Sequence, residues 1–134
     1  MSWLARLLGR GGPLSRAELA QRGEEAAARK LRADGYRIIA RNFRCRSGEL
    51  DIIAEEGGEL VFVEVRSRTS TDYGTPAESV NRRKQRQIAR AASHYLRWQV
   101  RGERPCRYDV VEVYLTPAGR VERVAVLRGA FRAG

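Results

Sequence analysis

Asp51 and Glu64 flank a Gly57-Gly58 pair symmetrically, one acid before it and one after. Gly-Gly is a favoured two-residue hairpin turn, because both central positions of such a turn take positive φ. With that turn Glu56 faces Glu59, and the pairing steps outward until Asp51 stands opposite Glu64 and Glu49 opposite Arg66. Period-two alternation then puts Glu49, Asp51 and Ile53 on one face of their strand, and Phe62, Glu64 and Arg66 on one face of theirs. Like charges directly opposed on neighbouring strands destabilise a sheet. Ile52, Ile53, Val63 and Val65 beside them add partial burial. A divalent cation between the two carboxylates relieves both costs, as in oxygen-rich magnesium sites. The plainer alternative is a solvated hairpin face whose acids pair with nearby arginines.

Cations concentrate elsewhere. Residues 82–107 carry nine, among them Arg82, Arg83, Lys84, Arg86 and Arg90, against Glu103 alone, whereas residues 47–65 carry six acids and no cation. A basic segment of this kind is an electrostatic footprint for a phosphate backbone, or else the solvated face of a helix. Arg44 and Arg46, just before the acidic hairpin, are either further phosphate contacts or solvated charges. His94 reads as a surface or packing residue, and Tyr95 and Trp98 are either base-stacking rings or, as their helical spacing favours, core. Asp109 is open between a functional acid and an arginine partner.

The elements that must position these groups follow from capping and periodicity. Ser15 and Glu18 have capping-box spacing, and Gly35 is a favourable left-handed stop, so a helix is expected to about Asp34. Leu19, Gly23, Ala27 and Leu31 form its inward stripe. Strands are expected over 36–43, 49–54 and 60–66, with Arg46-Ser47-Gly48 as the first turn. After a polar loop, Thr75-Pro76-Ala77-Glu78 reads as a second helix start; that helix, with a break near Asn81, continues to about Gln99. Strands over 108–115 and 120–127 complete an α-β-β-β-α-β-β order, an α/β sheet domain with helices packed on it.

The chain has 134 residues, a net charge of +10 and 43% hydrophobic residues. Length and apolar content suit one domain, read as a flexible N-terminal arm over 1–14 and a single folded unit over 15–134. No apolar run approaches the ~18 residues that span a bilayer, and the N-terminus lacks a signal-peptide core, so a cytoplasmic protein is expected. Cys45 and Cys106 are too few for a disulfide framework, are expected to stay reduced, and have no zinc-type spacing with His94.

Several linked motifs carry a resemblance. Gly23-Glu24, Arg41-Asn42-Phe43-Arg44, Gly48-Glu49-Leu50-Asp51, Val61-Phe62-Val63-Glu64-Val65-Arg66, Lys84-Gln85 and Arg107-Tyr108-Asp109-Val110-Val111 resemble the YraN-type family over roughly residues 15–131. That family is largely uncharacterised and is described as related to archaeal Holliday-junction resolvases. The resemblance implies a restriction-endonuclease-like (PD-(D/E)xK) α/β fold, with an αβββαβ core and a mixed sheet flanked by helices. It implies Asp51 as the motif Asp, Glu64 as the Glu of E-x-K, Glu24 as a first-helix acid that holds the metal's outer-sphere waters or a second metal, and Lys84 and Gln85 as polar catalytic positions on the following helix. It also implies Mg2+ or Mn2+ as cofactor, branched or structured DNA as partner and, by analogy, a homodimer. Leu50 stands where the motif has Pro. Arg66 stands where it has Lys; it keeps the charge but stays protonated and cannot act as a base.

Three readings follow. One is a metal-dependent endonuclease of resolvase type, in which Asp51 and Glu64 hold the ion and Arg66 or Lys84 stabilises charge on the phosphate. Another is a nucleic-acid-binding protein on the same fold with impaired or lost catalysis. The third is an interaction protein whose basic face meets an acidic partner. Fold alone does not choose among them.

Overall fold

Ser15 caps the first helix, α1 (Arg16–Ala33), in a computed structural model that describes residues 12–69 and 80–132. Its hydroxyl accepts from the Glu18 backbone N–H while Glu18 Oε1 accepts from the Ser15 backbone N–H, which closes the expected capping box. Gly35, at φ 94°, turns the chain directly into β1 (Arg37–Cys45). Then come β2 (Gly48–Glu56), β3 (Glu59–Thr69), α2 (Arg82–Gln99), β4 (Cys106–Leu115) and β5 (Val121–Phe131). The expected element order holds, with most strands longer than expected. Asn81 caps α2 through the Lys84 N–H. The helix start expected at Thr75 lies outside the described residues, as do residues 1–11 of the expected arm. Leu14, within that arm, donates its N–H to the Pro117 carbonyl.

The strands form one five-stranded sheet in the order β1-β2-β3-β4-β5. All neighbours are antiparallel except β3 and β4, which are parallel. α1 packs on one face, against β3, β4, β1 and β5; α2 packs on the other, against β2 and β1. Covering both faces explains the unbroken apolar run Leu60-Val61-Phe62-Val63 in the middle strand. Alternate residues feed two cores: Val61 and Val63 join Ala27, Leu31, Ile52, Val111 and Val113 under α1, while Leu60 and Phe62 join Leu50, Ile53, Ile88, Ala91 and Tyr95 under α2.

Gly57 and Gly58 take φ 60° and 81°, as the two-residue turn requires, and the register runs from Glu56↔Glu59 out to Ile52↔Val63. There the β2–β3 ladder stops, although β3 goes on pairing with β4 as far as Thr69↔Leu115. The sheet therefore forks beside Asp51 and Glu64. Glu49 does not reach Arg66; it lies 3.7 Å from Arg44 instead.

Face alternation also breaks at this level. Leu50 and Ile53, three apart, enter the same core, as do Ala40 and Phe43 on β1. Between the latter pair, Asn42 adopts a left-handed φ of 54°. The expectation that Asp51 shares a face with Ile53 is thus overturned. Ile53 points to α2, whereas Asp51 lines a cleft beside α1. Trp98, expected in the core, is instead 67% exposed. Tyr95 takes the core position, edge-on to Phe43 and Phe62.

Candidate metal centre and basic helix

Asp51 occupies the fork. Its Oδ2 accepts from the Val65 backbone N–H at 2.8 Å, taking the donor that a continued β2–β3 ladder would have used. The cleft it lines, about 460 Å³, lies between α1 and the end of β3 and is bounded by Leu19, Glu24, Val65 and Ser67. Gly23 makes that approach of α1 to β3 workable: a Cβ there would overlap Ser67 Oγ and stand 3.0 Å from Ser67 Cβ. Close packing at Gly23 is what carries the next residue, Glu24, to the cleft.

Glu64 stands close enough to Asp51 for each carboxyl to act on the other. Burial pushes the Glu64 carboxyl up to about 7, the Asp51 charge adds to the rise, and Lys84 and Arg66 work against it. Asp51 is also raised by burial, an effect opposed by the Val65 N–H and by Glu64. Two desolvated carboxyls side by side cannot both ionise cheaply, and Glu64 is the one that favours its proton. Lys84 Nζ comes to 3.6 Å of Glu64 Oε2 across the gap between α2 and β3. Its arrival follows from helical geometry. Ile88 and Tyr95 face the core, and Lys84 lies one turn before Ile88.

Glu24 faces the same cleft but is already held. Its Oε1 accepts from Asn42 Nδ2 at 2.9 Å and from Arg41 Nη2 at 3.2 Å. Among the described residues no group of three or more His, Cys, Asp or Glu side chains is arranged to ligate one ion. The donor set at the fork is therefore two carboxylates. It fits a hard divalent cation, since magnesium commonly takes one or two carboxylates and completes its shell with water and substrate phosphates.

Gln85 turns away from the acids; its Nε2 donates to the Val80 carbonyl at 2.7 Å. Arg44 and Arg46 are exposed at the β1–β2 turn. Arg82, Arg83, Arg86 and Arg90 are exposed on α2, which carries no acidic residue. Asp109 resolves as an arginine partner. It is fully buried under the α1 side, accepting from Tyr36 Oη at 2.7 Å, Arg107 Nε at 2.9 Å and the Gly129 N–H at 2.9 Å.

Sequence reasoning missed two features. The Arg41-Asn42 clamp on Glu24 was written in a quoted motif, but its role depends on Asn42 leaving the pleat. The Arg68–Glu112 ion pair, at 2.9 Å and nearly buried, joins β3 to β4 and had no sequence signal beyond opposite charge.

The comparisons agree with one another. A model of the uncharacterised protein family UPF0102 matches residues 23–113. A UPF0102 protein from Symbiobacterium thermophilum is 56% identical over 111 residues, covering 83% of this chain and 93% of its own length. One from Moorella thermoacetica is 48% identical over 118 residues, covering 88% and 98%. One from Myxococcus xanthus is 45% identical over 128 residues, covering 93% and 98%. With the α1 glycine, the forked acid pair and the Arg107-Tyr108-Asp109 run all inside the matched region, the chain belongs to the uncharacterised protein family UPF0102.

Proposed function

We propose that this chain is a metal-dependent phosphodiesterase acting on DNA, built on a PD-(D/E)xK-like core and similar in kind to Holliday-junction resolvases. The observation that carries the reading is the half-buried Asp51–Glu64 pair at the sheet fork, in which Asp51 lines a cleft and Lys84 Nζ lies 3.6 Å from Glu64. Burying two like-charged groups side by side harms stability, and such arrangements cluster where a site needs them.

Asp51 and Glu64 would hold Mg2+ or Mn2+, which when bound supplies Lewis acidity and an acidified water. The chain's own residues do the rest. The Val65 N–H fixes the Asp51 carboxylate. Arg41 and Asn42 hold Glu24 at the cleft wall, where it can accept hydrogen bonds from water. Lys84 and Arg66, both acting electrostatically on Glu64, place positive charge where a phosphate's non-bridging oxygens would sit. Arg82, Arg83, Arg86 and Arg90, with Arg44 and Arg46 at the β1–β2 turn, supply the backbone contacts.

Lys84 provides the ammonium that the motif puts at position 66, since catalysis depends on where the charge is rather than on which backbone carries it. One feature favours a second reading, a DNA-binding protein without efficient turnover: Arg66 keeps the charge but not the chemistry of Lys. Labelled four-way junction, flap, duplex and single-stranded DNA, incubated with Mg2+, with Mn2+ and with chelator, separate the two. Metal-dependent cleavage that Glu64→Ala abolishes is expected. Binding without cleavage on every substrate, surviving in Arg66→Lys, would establish the second reading.

A further inference from the structure

A second cleft, of about 700 Å³, lies on the α2 side of the molecule. Arg82, Arg86, Arg90 and Ser93 line it from α2, and Tyr108 and Arg132 close it from the β4–β5 side. It shares no lining residue with the carboxylate cleft, which is on the α1 side. Two sets of arginines differ in what they meet. Arg37, Arg41, Arg68, Arg104, Arg107 and Arg128 each meet a carboxylate at 3.2 Å or less. Among the described residues, no carboxylate pairs with the four arginines of this cleft; Arg90 Nε reaches only the Arg86 carbonyl, at 3.4 Å. The first group holds the fold, and the second has its charge available for a ligand.

Spacing tells what ligand. Arg82, Arg86 and Arg90 succeed one another every four residues, so their stems lie on one stripe and span roughly 12 Å at 1.5 Å per residue. A nucleic-acid strand carries about one charge per 3.4 Å of axis, so that span matches about three or four consecutive phosphates. A compact anion would engage one end of the row and leave the other unused. Burial holds the Tyr108 hydroxyl above its ordinary range, so it stays a donor on the cleft wall. Its ring is stacked on Phe131 at 4.9 Å, which fixes that wall in place.

We propose that the Arg82–Arg86–Arg90–Arg132 cleft is a separate strand-tracking site that grips the phosphodiester backbone of nucleic acid outside the carboxylate cleft. The proposal deepens the reading above and rests on its nucleic-acid part, not on cleavage.

The test is equilibrium binding of a fluorescent 20-nucleotide single strand to the full chain in chelator, titrated with salt. Arg86→Glu with Arg90→Glu is expected to weaken binding at least tenfold at 50 mM salt. Arg86→Ala with Arg90→Ala is expected to lower the log–log salt slope by about 1.4, at ~0.7 per lost phosphate contact. Arg132→Ala should lower it by a further ~0.7. Arg29→Glu with Arg32→Glu, exposed on α1, makes the same change in net charge and should cost less than threefold. An equal loss in that control overturns the proposal, because net charge alone would then explain the effect. Displacement of the strand by pyrophosphate at equal phosphate concentration also overturns it, in favour of a compact-anion site. Unchanged affinity and slope in the cleft variants overturn it while the nucleic-acid reading stands. No binding by the parent chain overturns both. Since all four arginines are exposed, circular dichroism of each variant is expected to match the parent.

Discussion

Glu64 is where chemistry and stability conflict. Its carboxyl is pushed from an ordinary value of 4.5 to about 7 by burial beside Asp51. An acid whose folded value is raised favours folding while protonated. That contribution is complete below about pH 4 and is lost as pH rises through 7. Parent stability, read from urea midpoints, is therefore expected to fall between pH 5 and pH 8. Glu64→Gln keeps a donor for Asp51 and removes the second buried charge. It should flatten this dependence and be more stable than the parent at pH 8, by on the order of 3 kcal/mol at 1.36 kcal/mol per pKa unit. Millimolar Mg2+ at pH 8 should raise the parent midpoint more than that of Glu64→Gln, since a cation held by both carboxylates stabilises only the folded form. A second expectation concerns Lys84. Lys84→Ala should cut metal-dependent cleavage at least tenfold in initial-rate assays, and Arg66→Lys should raise it. Parent-level cleavage by Lys84→Ala would leave Arg66 as the working cation.

At the scale of elements, the site depends on how closely α1 lies on β3. Gly23 sets that distance, because any larger side chain meets Ser67. Gly23→Val should destabilise the fold by about 1–3 kcal/mol through overpacking. It should also reduce cleavage by moving Glu24 away from Asp51. Gly23→Ala with Ser67→Gly should restore most of the thermal midpoint lost in Gly23→Ala alone. Failure of that rescue would place the strain elsewhere than the Gly23–Ser67 contact. Asn42 is the matching device on β1. Its left-handed backbone suits Asn and Gly and is costly for a β-branched residue.

For the molecule as a whole, Asp109 is an anchor remote from the chemistry. Fully buried, it ties Tyr36 at the start of β1 to Arg107 on β4 and to the Gly129 N–H on β5. Arg107 passes the connection on to Glu56 and Glu59 beside the β2–β3 turn. Asp109→Ala leaves Tyr36 and part of Arg107 buried without their acceptor and should cost about 3–5 kcal/mol in denaturant titrations. Metal affinity in the variant that still folds should stay near the parent's, since the network shares no residue with the fork. The same scale explains where charge goes. Acids and arginines pair along the sheet, and α2, without an acid of its own, keeps its positive surface.

Local rules carried much of this protein. The Ser15–Glu18 cap, the Gly57-Gly58 turn, the register out from Glu56↔Glu59 and the element order all follow from near neighbours in sequence. Such neighbours interact wherever the rest of the chain lies. The approach of Asp51 to Glu64 was legible only in part, because the turn fixes the pairing as far as Ile52↔Val63, one step short of these two residues. Local rules stopped at the fork. Which face Asp51 takes depends on a break in the pleat, on a left-handed Asn42 and on a backbone donor from Val65. Each of these is settled by packing between α1 and the sheet. Whether Lys84 meets Glu64, whether Gln85 turns away, and whether Asp109 is an anchor or a catalyst are likewise decided by segments far apart in sequence. A side chain's partner is set by the distance between elements, and only the folded sheet with a helix on each face defines that distance.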